Sequence, residues 1–278
     1  MGVVIGLGKT GCTMADQFSK YPQYETFKIR VGSRKRRVKN TYTMPRQDSP
    51  EDYESSCPSL KNFFKGLDGE VLFVVDGSEP VAAASLRILE QLKSCQITVL
   101  YIRPDLQFLS DVQRLTERSV RGVLQEYARS AVFERIYLVD IPLVAATLGD
   151  VPIKFYHERV YDAIAATLHM ITVFSHSEMV MGEYSDPLEM SRISTFGFIE
   201  PESGKENLFF LLDFPREKSY YYAINEEKLQ TDGSLLKRVK EQVLTGAHDR
   251  LKSSYAVYET QYDSDYIYVM AHSSMVQL

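Results

Sequence analysis

A glycine-rich turn near the start of the chain has the residue types that bind phosphate. An apolar run at residues 3–7 leads into Gly6-Leu7-Gly8-Lys9-Thr10-Gly11-Cys12. The first two glycines permit a tight turn and close backbone approach, and the third lets the start of a helix pack against the strand. The amides and the dipole at that helix start favour an anion. We therefore expect nucleotide phosphate to contact Gly6, Gly8, Lys9, Thr10, Gly11 and Cys12.

Two other interpretations of this turn remain open. Its glycine spacing is also that of a Rossmann dinucleotide-binding loop, and a single match of this kind is weak. A turn that only packs a helix on a strand is the second alternative. A Walker loop is excluded, because an apolar strand residue stands where that motif needs its first glycine ahead of Lys9.

A second apolar run, residues 71–75, ends in Asp76-Gly77-Ser78-Glu79-Pro80. Gly77 and Ser78 are candidates for phosphate contacts, but Asp76 and Glu79 stand where a phosphate cradle needs glycines. A carboxylate a few ångströms from a phosphate costs about 1–4 kcal/mol, depending on the local dielectric. Either a metal ion offsets the two acids or tight triphosphate binding is lost. Glu79 followed by Pro80 is also simply a favourable helix start.

The elements that must position these turns alternate along the first 140 residues. Strands are predicted at residues 3–7, 26–31, 71–75, 97–102 and 135–139, and helices at 12–19, 58–66, 80–94 and 110–130. Apolar strands separated by helices predict a parallel sheet covered on both faces. The stretch 32–58 is predicted to be a long surface loop.

The pattern changes after a long helix predicted at residues 154–175, which is apolar around most of its circumference. Antiparallel strands are expected at 193–199, 207–214 and 218–224, a helix at 233–245, and a hairpin from 254–260 and 265–271. The predicted fold class is α/β: a Rossmann-like parallel-sheet domain (1–153), a central helix (154–176) and a smaller α+β domain (177–278).

Composition limits the function classes. The 278 residues carry a net charge of −5, which gives no global attraction to nucleic acid. No run of apolar residues is long enough to span a membrane. Three cysteines without metal-ligand spacing fit a reducing cytoplasm, so we expect a cytoplasmic protein and no metal centre built on cysteine.

The layout and several motifs resemble the tubulin/FtsZ superfamily. Residues 136–144, Ile-Tyr-Leu-Val-Asp-Ile-Pro-Leu-Val, look like that family's strand and proline-containing loop, and Val160-Tyr161-Asp162-Ala163-Ile164 looks like part of its central helix. Tyr222-Ala223-Ile224-Asn225, the helix at 235–243 and the strand at 266–270 are similar to its second domain. The likeness runs in order along nearly the whole chain, although the second domain looks trimmed between residues 199 and 207.

The resemblance implies roles for further residues. In polymerising members, two acids three residues apart enter the nucleotide site of the next subunit, and Asp186 and Glu189 have that spacing at the expected distance beyond the central helix. These two carboxylates would be catalytic, orienting water or Mg²⁺. Base recognition would fall to Asp140 and, on the central helix, Arg159. At the second turn the family's run of glycines is reduced to Gly77 and Ser78.

The function implied is head-to-tail assembly into filaments or rings, with GTP or GDP bound between subunits and GTPase activity coupled to assembly. One alternative is a nucleotide-free structural relative of the same fold, which the acids of the second turn favour. Another is a Rossmann-type NAD(P)-binding enzyme, for which Arg34 would suit a 2′-phosphate but no catalytic set follows. A basic run, Arg34 to Lys39, is a solvated loop by default and leaves a nucleic-acid partner open.

Overall fold

In a computed structural model, which describes residues 2–33, 38–245 and 251–278, the chain divides into two units. Unit 1 comprises residues 1–165 and 276–278, and unit 2 comprises residues 166–275. No helix of the described ranges is long and apolar enough to cross a membrane.

Unit 1 is built on a sheet of six parallel strands. They are β1 (Gly2–Leu7), β2 (Tyr24–Val31), β3 (Thr41–Met44), β4 (Glu70–Asp76), β5 (Gln96–Arg103) and β6 (Arg135–Asp140), in the order β3-β2-β1-β4-β5-β6. β1 and β4 are almost wholly buried, as expected for central parallel strands covered on both faces. The predicted parallel α/β sheet is confirmed, and all six carboxyl ends lie along one edge.

The helices of unit 1 are α1 (Gly8–Phe18), α2 (Pro50–Ser55), α3 (Ser85–Leu89), α4 (Asp111–Arg129) and α5 (Ile141–Thr147). α6 (Tyr156–Ser175) begins in unit 1 and ends in unit 2. Ser110 and Gln113 form a reciprocal capping box at the start of α4, which explains why that helix begins where it does.

Two sequence-based predictions in unit 1 are wrong. The stretch 32–58 is not one long loop, because it contains β3, which pairs with β2, and α2, which Ser49 caps by accepting from the Asp52 amide. The helix predicted at 58–66 is absent, and those residues form turns instead. Phe63 there contacts Phe27, Tyr42 and Phe64 in an aromatic cluster, so the apolar residues of this stretch serve packing rather than a helical face.

Unit 2 contains a mixed sheet. Its strands are β7 (Met181–Glu183), β8 (Ile193–Ile199), β9 (Glu206–Leu208), β10 (Glu217–Asn225), β11 (Lys252–Thr260) and β12 (Tyr266–Ser273), in the order β9-β8-β12-β10-β11-β7. Two helices, α7 (Glu226–Thr231) and α8 (Leu235–Thr245), follow β10. α8 packs Val239 and Val243 into a core that includes Tyr220, Tyr222 and Val257.

The predicted hairpin in unit 2 is wrong. β11 and β12 do not pair with each other, since both pair with β10, β11 in parallel and β12 antiparallel. The strand predicted at 207–214 is limited to β9, and the residues after Leu208 are irregular. The predicted strands at 193–199 and 218–224 and the helix at 233–245 are confirmed.

Candidate functional site

The glycine-rich turn joins β1 to α1 at the carboxyl edge of the sheet in unit 1. Leu7 is the N-cap residue of α1 and makes no side-chain cap, so the first amides of the helix depend on another acceptor. Gly8 has φ +78°, a left-handed conformation that favours glycine. This arrangement leaves amides directed outward at the positive end of a helix dipole, as an anion site requires.

Gly6 and Gly11 are required for close packing of α1 on the sheet. A Cβ at Gly6 would lie 2.1 Å from the Gly11 carbonyl oxygen, and a Cβ at Gly11 would lie 2.5 Å from the Val74 carbonyl oxygen of β4. A side chain at either position would force the backbone apart. The packing role predicted for Gly11 agrees with this geometry, and Gly6 shares it.

The acceptor for the first amides of α1 is the carboxylate of Glu79. Its Oε2 accepts from the Lys9 amide at 2.7 Å and its Oε1 accepts from the Thr10 amide at 2.7 Å. A Cβ at Gly8 would lie 2.1 Å from Glu79 Oε2, so the absence of a side chain at Gly8 makes room for this carboxylate. The phosphate-type donors of the turn are therefore engaged by an acid of the same chain.

Asp76, at the end of β4, holds the other side of the turn. Its Oδ2 accepts from the Thr10 hydroxyl at 2.9 Å, and its Oδ1 accepts from the amide and the hydroxyl of Ser78 at 2.9 and 2.8 Å. Burial raises the pKa of Asp76 to about 6; the hydrogen bonds from Ser78 and Thr10 oppose that rise, and the charge of Glu79 adds to it. The two acids and the first turn thus form one hydrogen-bonded group.

Gly77 also fits its position only as glycine. A Cβ there would lie 1.8 Å from the hydroxyl oxygen of Tyr101, a fully buried residue of β5. That hydroxyl is fixed by donating to the carbonyl and carboxylate of Glu117 on α4. Packing against Tyr101 therefore accounts for the glycine without reference to a ligand.

A cavity of about 600 Å³ adjoins the first turn. The cationic side chains of Lys9, Arg30 and Arg46 line it together with Glu79 and Tyr53. Cys12 also lines it, but burial raises the pKa of its thiol to about 12, so the thiol is a neutral packing group at ordinary pH. The cavity has the size of a small-ligand site and a lining of mixed charge.

The sequence matches no protein-family profile and no curated protein, whereas the structure matches solved structures over almost all of its length. A GTPγS-form protofilament of TubZ from Bacillus thuringiensis serovar israelensis superposes with a TM-score of 0.74 at 13% identity, covering 98% of this chain and 86% of that one. An empty FtsZ dimer from M. jannaschii gives 0.67 at 10% identity, covering 98% and 88%. A GTPγS-bound protofilament of CetZ2 from Haloferax volcanii gives 0.66 at 11% identity, covering 98% and 92%.

The chain has the tubulin/FtsZ fold. The resemblance recognised in the sequence is therefore confirmed at the level of the fold, at an identity too low for sequence comparison to detect. The glycine turn after β1 and the acidic turn after β4 both lie at the carboxyl edge of the sheet, where open α/β folds bind their ligands.

Two residues expected at the base-recognition end of a tubulin/FtsZ-type site lie on different elements. Asp140 ends β6, is nearly buried and forms an ion pair with Arg103 at the end of β5. Arg159 is exposed on α6. On the same helix His157 stacks on Tyr161, whose side chain hydrogen-bonds with Thr10 of the first turn. Asp140 is thus engaged by an arginine, while Tyr161 contacts the turn directly.

Asp186 and Glu189 lie in unit 2, on an irregular segment between β7 and β8, and both are exposed. The segment is held by the buried carboxylate of Glu217, which accepts from the Leu188 amide at 2.9 Å and from the Ser191 hydroxyl at 3.0 Å. Glu217 was not recognised in the sequence, because an isolated glutamate at a strand start carries no local signal. It fixes the backbone that presents the two acids to solvent.

Hydrogen bonds of Glu79 and Asp76 connect the two turns that the sequence predicts to contact phosphate, which are Gly6 to Cys12 and Gly77 with Ser78. The described ranges contain no group of three or more histidine, cysteine, aspartate or glutamate side chains able to hold a metal ion. Residues 34–37, most of the basic run from Arg34 to Lys39, lie outside the described residues.

The contact that sequence reasoning missed is that of Glu79. An acid before Pro80 is expected to stabilise the start of its own helix, but Glu79 makes no side-chain cap there. Its carboxylate instead binds the start of α1, 70 residues earlier in the chain. The sequence does show two acids, Asp76 and Glu79, in the turn after β4. It does not show which groups their carboxylates contact.

Proposed function

We propose that this protein assembles head-to-tail into filaments and uses the turn between β1 and α1 as its guanine-nucleotide phosphate site. The observation that carries the proposal is the fold match over 98% of the chain to TubZ, solved as a protofilament. Repeated contact of one surface with a different surface of the next subunit produces an open polymer. The glycine turn and the segment with the two exposed acids are the two parts that the proposed assembly would use.

In this proposal one subunit offers the amides around Gly8 to GTP or GDP. The next subunit supplies Asp186 and Glu189, whose exposed carboxylates would orient the attacking water for phosphoryl transfer. Mg²⁺ would be held mainly by the nucleotide phosphates, since this ion usually keeps several waters and needs few protein ligands.

The second candidate function is a filament-forming relative that needs no nucleotide. It is favoured by the Glu79 carboxylate, which already engages the Lys9 and Thr10 amides at 2.7 Å. Both functions predict assembly, and they differ in whether GTP changes it.

The test is right-angle light scattering and electron microscopy of the purified chain, with and without GTP and magnesium. Filaments that appear above a threshold protein concentration support assembly. A protein that stays monomeric in every condition refutes both candidates. Calorimetry with a GTP analogue, GDP, ATP and NADPH identifies the nucleotide, and binding of NADPH alone would indicate the Rossmann-type enzyme.

The catalytic proposal is tested with the double variant Asp186→Asn/Glu189→Gln. We expect phosphate release from GTP to fall by about a hundredfold or more while nucleotide binding is kept, because the acids act on the next subunit's nucleotide. Glu202→Gln, which neutralises another exposed acid of unit 2, serves as the matched control. Equal hydrolysis by the double variant and the control would show that the two acids have no catalytic role.

A further inference from the structure

The position of Glu79 is fixed by its own backbone. Pro80 follows it and biases the preceding residue to extended conformations, and Glu79 has φ −75° and ψ 133°. The Glu79 amide donates to the Asp76 carbonyl at 3.3 Å and so closes the turn that precedes Glu79. The side chain leaves the turn after β4 and its carboxylate reaches the start of α1.

The contact has the form of a bound anion. Each carboxylate oxygen accepts from a different, consecutive amide, those of Lys9 and Thr10, at the same distance of 2.7 Å. Charge-assisted bonds of this kind are short and strong, and the helix dipole adds to them. A phosphate oxygen placed at the same amides would need the same two hydrogens and would lie against a like charge.

Three further features shape the turn around this carboxylate. Gly8 has a left-handed φ, and because it has no side chain the backbone there can lie close to the Glu79 carboxylate. The Thr10 hydroxyl is held by Asp76, and Tyr161 hydrogen-bonds with the Thr10 side chain. The turn is thus held in an anion-bound arrangement by groups of this chain alone.

We propose that Glu79 is an internal ligand of the turn between β1 and α1, which takes the place of a phosphate group and competes with any phosphate-bearing ligand for the Lys9 and Thr10 amides. The inference rests on the proposed function insofar as this turn is the nucleotide site. It adds that a nucleotide binds only when the carboxylate leaves, and that the turn stays hydrogen-bonded without one.

The test compares the wild type with Glu79→Gln, using GDP and inorganic phosphate as probes in calorimetry. Glutamine is neutral and its carbonyl oxygen can accept from only one of the two amides at this geometry. We expect the variant to bind GDP about tenfold or more tightly than the wild type, because the repulsion and one competing bond are removed. Glu90→Gln, which neutralises an exposed acid eleven residues further along the chain, is the matched control and should leave the affinity unchanged.

A second measurement reads the contact itself. In NMR spectra of the wild type, the Lys9 and Thr10 amide protons should resonate downfield, as expected for bonds to a carboxylate, and both should move upfield in Glu79→Gln. Glu79→Asp, which keeps the charge on a shorter side chain, should give the same upfield shift. This variant keeps the question answerable if the glutamine variant fails to fold, as judged by circular dichroism.

Equal GDP affinity of the wild type and Glu79→Gln, within about twofold, would overturn the inference and leave the proposed function intact. Unchanged Lys9 and Thr10 amide shifts in both variants would overturn it as well. If neither protein binds nucleotide, the inference that Glu79 competes with a nucleotide is also refuted. Filament assembly detected by light scattering would then support the second candidate function, a filament-forming relative that needs no nucleotide. Failure of the wild type and of all variants to form filaments would refute the proposed function separately.

Discussion

Replacing Asp76 with asparagine should change the stability of unit 1 in a pH-dependent way. Asp76 is only 6% exposed, and burial raises the pKa of its carboxyl from 3.8 to about 6. The folded protein therefore holds this proton more tightly than the unfolded chain does. Asp76 therefore contributes its full stabilisation when the pH is below the pKa that it has in the unfolded chain. This stabilisation is lost as the pH rises through the pKa that it has in the folded protein.

The magnitude follows from the size of the shift. A difference of about two pH units corresponds to about 3 kcal/mol of folding free energy lost between pH of about 4 and pH of about 7. Asparagine does not ionise, but it loses one of the acceptors that serve Thr10 and Ser78, at a cost of about 1 kcal/mol. We expect Asp76→Asn to be about 1 kcal/mol less stable than the wild type in acid and about 2 kcal/mol more stable at neutral pH.

Urea unfolding followed by circular dichroism, repeated from pH of about 4 to about 8, measures the difference between the two proteins. The difference cancels the contributions of all other titrating groups. Asp68→Asn, at an exposed aspartate of unit 1, shows the effect of removing a surface charge. A wild-type-to-variant difference that stays constant over this pH range, within about 0.5 kcal/mol, would refute the raised pKa of Asp76.

Three other substitutions test contacts described above. Gly11→Ala should destabilise the protein by about 1–3 kcal/mol, since its methyl group would lie 2.5 Å from the Val74 carbonyl oxygen, and urea unfolding beside Gly122→Ala, at a helical glycine with open space, measures this. Arg121→Met should cost about 3–5 kcal/mol, because it leaves the Glu117 carboxylate buried without its cationic partner at 2.8 Å; a thermal midpoint equal to that of wild type would contradict this. Glu217→Ala should speed hydrogen exchange of the Leu188 amide by about tenfold or more, and unchanged exchange would show that the carboxylate does not hold this segment.

Much of the sheet in unit 1 was predictable because its central strands are continuous apolar runs. β1, β4, β5 and β6 are each flanked by helical patterns, and a parallel sheet buried on both faces is the arrangement that fits them. β3 was missed because its four residues lie among charged segments and only Met44 is buried. An edge strand of four residues buries too little surface to produce a recognisable apolar pattern in the sequence.

Strand partners and long-range contacts were less predictable than the strands. Alternating residues identify β11 and β12 but do not specify that β10 lies between them. The helical pattern of α4 likewise predicts the helix but not its orientation. The structure buries Glu117, Arg121 and Gln125 on this helix and exposes Val112 and Leu115, each 67% exposed.

The buried polar face of α4 is satisfied by the last residues of the chain. Arg121 and Gln125 both donate to the Gln277 carbonyl, at 2.8 and 3.0 Å, and Gln125 accepts from the Gln277 amide. No local pattern connects positions more than 150 residues apart, so a sequence alone would place the apolar residues of this helix inward. The contact of Glu79 with α1 escaped sequence reasoning for the same reason.

The carboxylate that binds the start of α1 is covalently part of the chain, so it cannot be diluted or depleted. A free ligand stabilises its site by an amount that rises with its concentration, whereas a tethered group is present at a local concentration fixed by the linking chain. Dialysis, dilution or exhaustion of a nucleotide pool would therefore leave the Lys9 and Thr10 amides occupied. The order of this turn is then a property of the polypeptide itself and does not require a bound nucleotide.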